Sequence, residues 1–137
     1  MGEKYRCWEE IFFNDRMGGF VLPWFENEKP PRAWVGLMDT FLHGAFSHLI
    51  EAGKILGIPG ECVCFPIQKE RGNFYFLLAG GGTSMDSRKV PEISFPALRQ
   101  NAKGLQIHVL GISASDTGQS PERLTELFQG VSLWILP

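Results

Sequence analysis

Apolar and polar positions group along this chain in ways that mark out a succession of elements. The longest periodic stretch runs over 33–56. At 100° per residue, Trp34, Val35, Met38, Phe41, Leu42, Ala45, Phe46, Leu49, Ala52 and Leu56 fall on one broad face. Gly36, Thr40, His43, Gly44, Ser47, Glu51 and Lys54 fall on the opposite stripe. That separation predicts an amphipathic helix lying on a sheet. Pro30 and Pro31 suit its start, and Gly57 with Pro59 suits its end.

Shorter apolar runs bounded by turn residues read as strands. The segment 8–13 fits a strand or a helical turn. The run 20–25 reads as a strand in which Pro23 argues for an edge position or a bulge, because proline donates nothing to a ladder. Strands over 61–67 and 73–79, separated by the polar, glycine-containing 68–72, predict a hairpin. Gly80, Gly81, Gly82, Pro91 and Pro96 break up 80–101, which reads as irregular. A strand over 105–112 follows. Ser120, Pro121 and Glu122 open a short helix with a capping hydroxyl, a proline in the first turn and an acid at the positive end of the dipole. Apolar at nearly every position, 131–136 closes the chain as a strand expected at the centre of the sheet.

The order of elements predicts an α+β domain: a mostly antiparallel sheet with one long amphipathic helix and one short helix packed on it. With 137 residues and no internal repeat or low-complexity segment, 1–137 reads as a single domain. A chain of this size buries roughly two thirds of its unfolded surface, enough to fold without disulfide or metal.

Composition narrows the function classes. Thirteen Lys and Arg against fifteen Asp and Glu give a net charge of −2. Nucleic-acid binding needs clustered positive charge, which argues against it here. No run approaches the roughly 18 apolar residues of a membrane span. The first residues lack the apolar core of a secretory signal, so a cytoplasmic protein is expected. The cysteines Cys7, Cys62 and Cys64 carry no CxxC spacing. Cys62 and Cys64 share a face if 61–67 is a strand, nearly 7 Å apart and too far for an unstrained disulfide. Reduced thiols, with no metal and no cofactor, are the expectation.

Candidate chemistry is sparse. His43, Ser47 and Glu51 recur at four-residue intervals, but a hydrolytic triad needs the histidine between nucleophile and carboxylate. Here the serine is in the middle and Glu51 is roughly 12 Å from His43 along the helix axis. His48 sits at the boundary of the two helix faces, where a histidine can titrate near neutrality beside a cleft. His108 is expected to face solvent. The run Gly80–Gly82 lacks any nucleotide-loop pattern and reads as a flexible turn that could wall a site. Trp24, Phe25, Glu26 and Glu28 lie at a strand end, and Trp34 follows at a helix start. Aromatic faces beside carboxylates suit a cationic or aromatic guest, since the ring quadrupole attracts the cation and the acid neutralises it.

The sequence therefore points to a non-catalytic binding domain for an aromatic or cationic small molecule, with Trp24, Phe25, Glu26, Glu28, Trp34 and His48 as contacts. One alternative is a protein–protein module, such as an inhibitor, an immunity-like factor or a homodimer subunit. A second is a small hydrolase built on His48 and Glu51, with the glycine run holding an oxyanion.

Overall fold

The computed structural model describes residues 17–26, 38–40, 42–69, 72–82 and 91–136. Among these residues five strands form one sheet: β1 (Met17–Trp24), β2 (Cys62–Lys69), β3 (Gly72–Gly80), β4 (Val109–Ser113) and β5 (Ser132–Leu136), in the order β2-β3-β1-β4-β5. Strand β1 runs parallel to both β3 and β4, and β4 is parallel to β5; only the β2–β3 pair is antiparallel. The sheet is therefore mixed and mostly parallel, of the α/β kind, which overturns the expected antiparallel α+β arrangement.

Parallel pairing follows from burial on both faces. Along β1, Phe20, Leu22 and Trp24 enter one core while Val21 enters the other. Along β3, Phe74, Phe76 and Leu78 oppose Leu77 and Ala79 in the same way. The first core packs against Met38 and against Phe46 and Ile50 of helix α1 (Ala45–Glu51). Phe46 meets Phe65 and Phe76 edge-on, with ring centroids 5.3 and 5.7 Å apart, an edge-to-face geometry that aromatic quadrupoles favour. The second core packs against α2 (Phe95–Gly104) and α4 (Pro121–Leu127), with the four-residue α3 (Ala114–Thr117) between β4 and α4. Burying each of these large side chains contributes about 1.5–3 kcal/mol.

The long helix expected over 33–56 is not formed. Among the described residues, helix occurs at 38–40 and again in α1, with a turn over 42–44 between them. His43 and Gly44 at that turn have φ of 57° and 80°, left-handed values that cannot continue a right-handed helix. The apolar spacing is preserved across the break, which is why periodicity alone runs the two pieces together. Asp39 restarts the helix: its Oδ1 accepts the Ser47 amide at 2.9 Å and its Oδ2 the Ser47 hydroxyl, serving a free amide of the first turn of α1.

Helix α2 occupies part of the stretch read as irregular. Its cap is Ser94, whose hydroxyl accepts the Ala97 amide, and Pro96 sits in its first turn rather than breaking it. Strand β4 is correspondingly shorter than 105–112. Two strand placements also differ. Strand β1, for which Pro23 argued an edge position or a bulge, is central, and its register shift falls at Met17/Gly19, not at Pro23; its ladder with β4 extends to Phe20↔Gly111, so Pro23 lies beyond that ladder and withholds no donor from it. Strand β5, expected to be central, ends the described sheet with its middle residues only partly buried. The β2–β3 hairpin forms as expected, with pairing continued to Lys69↔Gly72. Ser120 caps α4 as expected, accepting the Arg123 amide at 3.2 Å.

Candidate ligand site at the carboxyl ends of the parallel strands

Strands β1 and β3 lie side by side and end at the same edge, with Trp24 opposite Gly80. Beyond β1 the chain supplies Met38, Phe46 and Ile50 to the first core; beyond β3 it supplies Phe95, Leu98 and Ala102 to the second. Neighbouring parallel strands whose continuations serve opposite faces leave a crevice at their carboxyl ends, the usual ligand position in open α/β sheets. The segment following β4, on the other side of β1, emerges at this edge too. There Ser113 accepts the Asp116 amide at 3.2 Å, and the Thr117 hydroxyl donates to the Ser113 carbonyl at 2.9 Å.

Three segments are laced together at this edge. Gly81 donates to the Trp24 carbonyl at 2.8 Å, Glu26 to the Gly82 carbonyl at 3.1 Å, and Gly82 to the Gly57 carbonyl at 2.9 Å. Gly80 donates to the Glu61 carbonyl at 2.8 Å. The close approach requires missing side chains. A Cβ on Gly80 would run into the Ile58 carbonyl oxygen, and one on Gly81 would lie 3.1 Å from both the Phe25 ring and Pro91. Gly57, at φ 79°, abuts the Glu26 backbone.

The glycine run is thus a buried, hydrogen-bonded seam and not the flexible turn expected. Its three amides are all committed within the protein, so they are not available as oxyanion donors. The Glu61 carboxylate holds the adjoining loop, accepting the Leu56 and Gly57 amides. On that loop Leu56 and Ile58 are 51% and 45% exposed, two apolar side chains presented to solvent beside the glycine seam.

The sequence-predicted contacts separate. Trp24, Phe25 and Glu26 come to this edge. Trp24 is buried at 2% exposure within the first core, and its Nε1 has no hydrogen-bond partner among the described residues. Phe25 and Glu26 are partly exposed. Glu28 and Trp34 lie outside the described residues, as does segment 8–13. His48 and Glu51 are exposed on α1, and His108 is exposed just before β4. Sequence reasoning missed Gly57, Glu61 and the exposed apolar pair on their loop. The signal available was Leu56-Gly57-Ile58-Pro59-Gly60, where two bulky apolar residues stand among chain breakers that prevent their burial in a regular element.

Among the described residues no group of three or more His, Cys, Asp or Glu could hold a metal ion. No described helix is long and apolar enough to cross a membrane.

No protein-family model and no curated protein sequence matches the chain. Solved structures do match it in fold. The macrodomain of Mycobacterium tuberculosis DarG superposes with a TM-score of 0.62 at 13% identity, over 90% of this chain and 91% of that one. The macrodomain of Thermus aquaticus DarG gives 0.61 at 13% identity with the same coverage. A mutant of tomato leucine aminopeptidase gives 0.54 at 19% identity over 90% of this chain, which spans only 30% of the aminopeptidase chain. At these identities the likeness is one of fold: this chain has a macrodomain-like α/β architecture.

Proposed function

We propose that this protein is a binding domain for a small ligand of the ADP-ribose type, held at the carboxyl ends of β1, β3 and β4. The observation that carries the reading is that the chain after β1 packs on one face of the sheet and the chain after β3 on the other, the arrangement that in open α/β sheets leaves room for a ligand at the carboxyl ends. The macrodomain-like fold supports the ligand class. Aromatic and apolar side chains at this edge, Phe25, Leu56 and Ile58, suit one face of a planar base. The buried Trp24 N–H, which has no acceptor among the described residues, is the donor we assign to the ligand.

A second reading, an aromatic cation, is favoured by the carboxylates of Glu26 and Glu92 beside the same seam. The Glu92 amide donates to the Gly81 carbonyl at 3.0 Å, which ties Glu92 to this edge.

Calorimetry and thermal melting with ADP-ribose, ADP, AMP and an aromatic quaternary amine test both readings. A ligand at a hundred times its Kd adds about 2.7 kcal/mol and raises Tm by on the order of 10 °C. Trp24→Phe keeps an aromatic ring in the core while removing the indole donor, and is expected to weaken binding about tenfold with folding retained. Binding of the amine alone would select the second reading. No response to any of the four at millimolar concentration would overturn both.

A further inference from the structure

Strand β2, at one end of the described sheet, carries two thiols. Cys62 and Cys64 pair with Ala79 and Leu77 of β3, both members of the second core, so the thiols rise over one face at the margin of that core. Each is partly exposed and neither is in a disulfide. From α2, the Asn101 side-chain amide donates to Cys62 Sγ at 3.4 Å and to the Ala97 carbonyl at 2.9 Å, which anchors it.

Residues two apart on a strand stand about 6.6 Å from each other along the chain. A disulfide draws its Cβ atoms to about 3.5–4.5 Å, so direct bonding would require backbone movement. An ion placed between the sulfurs lengthens the bridge by a second metal–sulfur bond and removes that demand. Zinc favours four ligands, and two thiols alone do not meet that requirement. Soft monovalent ions accept fewer donors and select thiolate.

We propose that Cys62 and Cys64 form a two-coordinate site for a soft monovalent cation of the Cu(I) class, with the Asn101 amide steadying the Cys62 sulfur. Binding exchanges protons for metal without redox change: two thiols and one Cu(I) give one bis-thiolate complex and two protons. The site is independent of the crevice at the carboxyl ends and does not rest on its ligand.

The test uses the full reduced chain carrying Cys7→Ser, loaded anaerobically with Cu(I) against bicinchoninate as competitor. One copper per chain is expected to survive the competition, with two sulfurs around it by X-ray absorption. Cys62→Ser and Cys64→Ser should each weaken retention by more than about a hundredfold and Asn101→Ala by about tenfold, the range for a supporting residue. Complete stripping of copper from the Cys7→Ser chain, or undiminished retention by a folded Cys62→Ser variant, overturns the proposal. If the serine variants do not fold, the sulfur count on the Cys7→Ser chain and the Asn101→Ala affinity decide it: two sulfurs with weakened retention support the site, and any other result rejects it.

Discussion

The Glu61 carboxylate accepts the Gly57 amide at 2.6 Å across only three intervening residues. That bond folds the loop before β2 onto the end of β3, because the Gly57 carbonyl in turn receives the Gly82 amide. Glu61→Ala is expected to cost about 1–2 kcal/mol, since backbone donors beside solvent regain water in part. Glu61→Gln retains an acceptor and should cost less. Urea denaturation of the two variants measures the difference; equal losses would show that the negative charge, not the hydrogen bond, holds the loop.

Gly80 and Gly104 make a matched pair. A methyl group on Gly80 meets the Ile58 carbonyl oxygen, whereas one on Gly104 meets none of the described residues within 4 Å. Gly80→Ala should destabilise by more than about 2 kcal/mol, because the obstacle is backbone and cannot rotate away. Gly104→Ala, in the last turn of α2, should be neutral or stabilise by up to about 1 kcal/mol. Thermal melting of both variants checks the contrast, and a tolerated Gly80→Ala would mean the seam is looser than the structure shows.

Asp39 is nearly buried at 8% exposure and serves both the amide and the hydroxyl of Ser47. Removing an N-terminal cap typically costs about 0.5–2 kcal/mol, and burial places Asp39→Ala towards the upper end. Ser47→Ala loses one of the two contacts and should cost less. The double variant should lose less than the sum of the singles, since both remove the same interaction; additive losses in chemical denaturation would contradict this geometry.

The thiol pair gives the metal-free protein an alkaline dependence. Burial pushes Cys62 up from an ordinary 9.0 to about 11, with the neighbouring Cys64 adding to the rise and Asn101 opposing it. Burial also raises Cys64. Between about pH 9 and 11 the folded chain keeps a Cys62 proton that the unfolded chain has released, so stability falls as pH rises through this window. The contribution is complete below pH 9 and gone above about 11. The denaturation midpoint should therefore fall more steeply across the window in the parent chain than in Cys62→Ala. Parallel slopes would remove Cys62 as the cause.

Local signals served wherever a few neighbouring residues settle the matter. Ser120 and Pro121 announce α4 because capping and a proline-compatible first turn are chemistry within one helical turn. The β2–β3 hairpin is legible from a short polar connection between two apolar runs. Trp24, Phe25 and Glu26 were identifiable as neighbours at a strand end for the same reason. The break at His43 and Gly44 was not, since the apolar spacing continues across it and only the left-handed backbone reveals it. Nor was α2, whose Pro96 counts as a breaker unless Ser94 is recognised as its cap; Phe95, Leu98 and Ala102 at helical spacing were the overlooked sign.

By itself, the sequence determined the apolar runs, the capped α4, the hairpin and the strand-end position of Trp24. Only the tertiary structure decided that the sheet is mostly parallel, that β1 is central and β5 terminal in the described sheet, and that Gly57, Gly81 and Gly82 meet Phe25 and Glu26. The reason is that strand direction and order arise from pairings between segments tens of residues apart, which share no local dihedral preference. A run such as Phe74–Ala79 is equally apolar in either direction, and its two buried faces acquire meaning only when helices arrive to cover both.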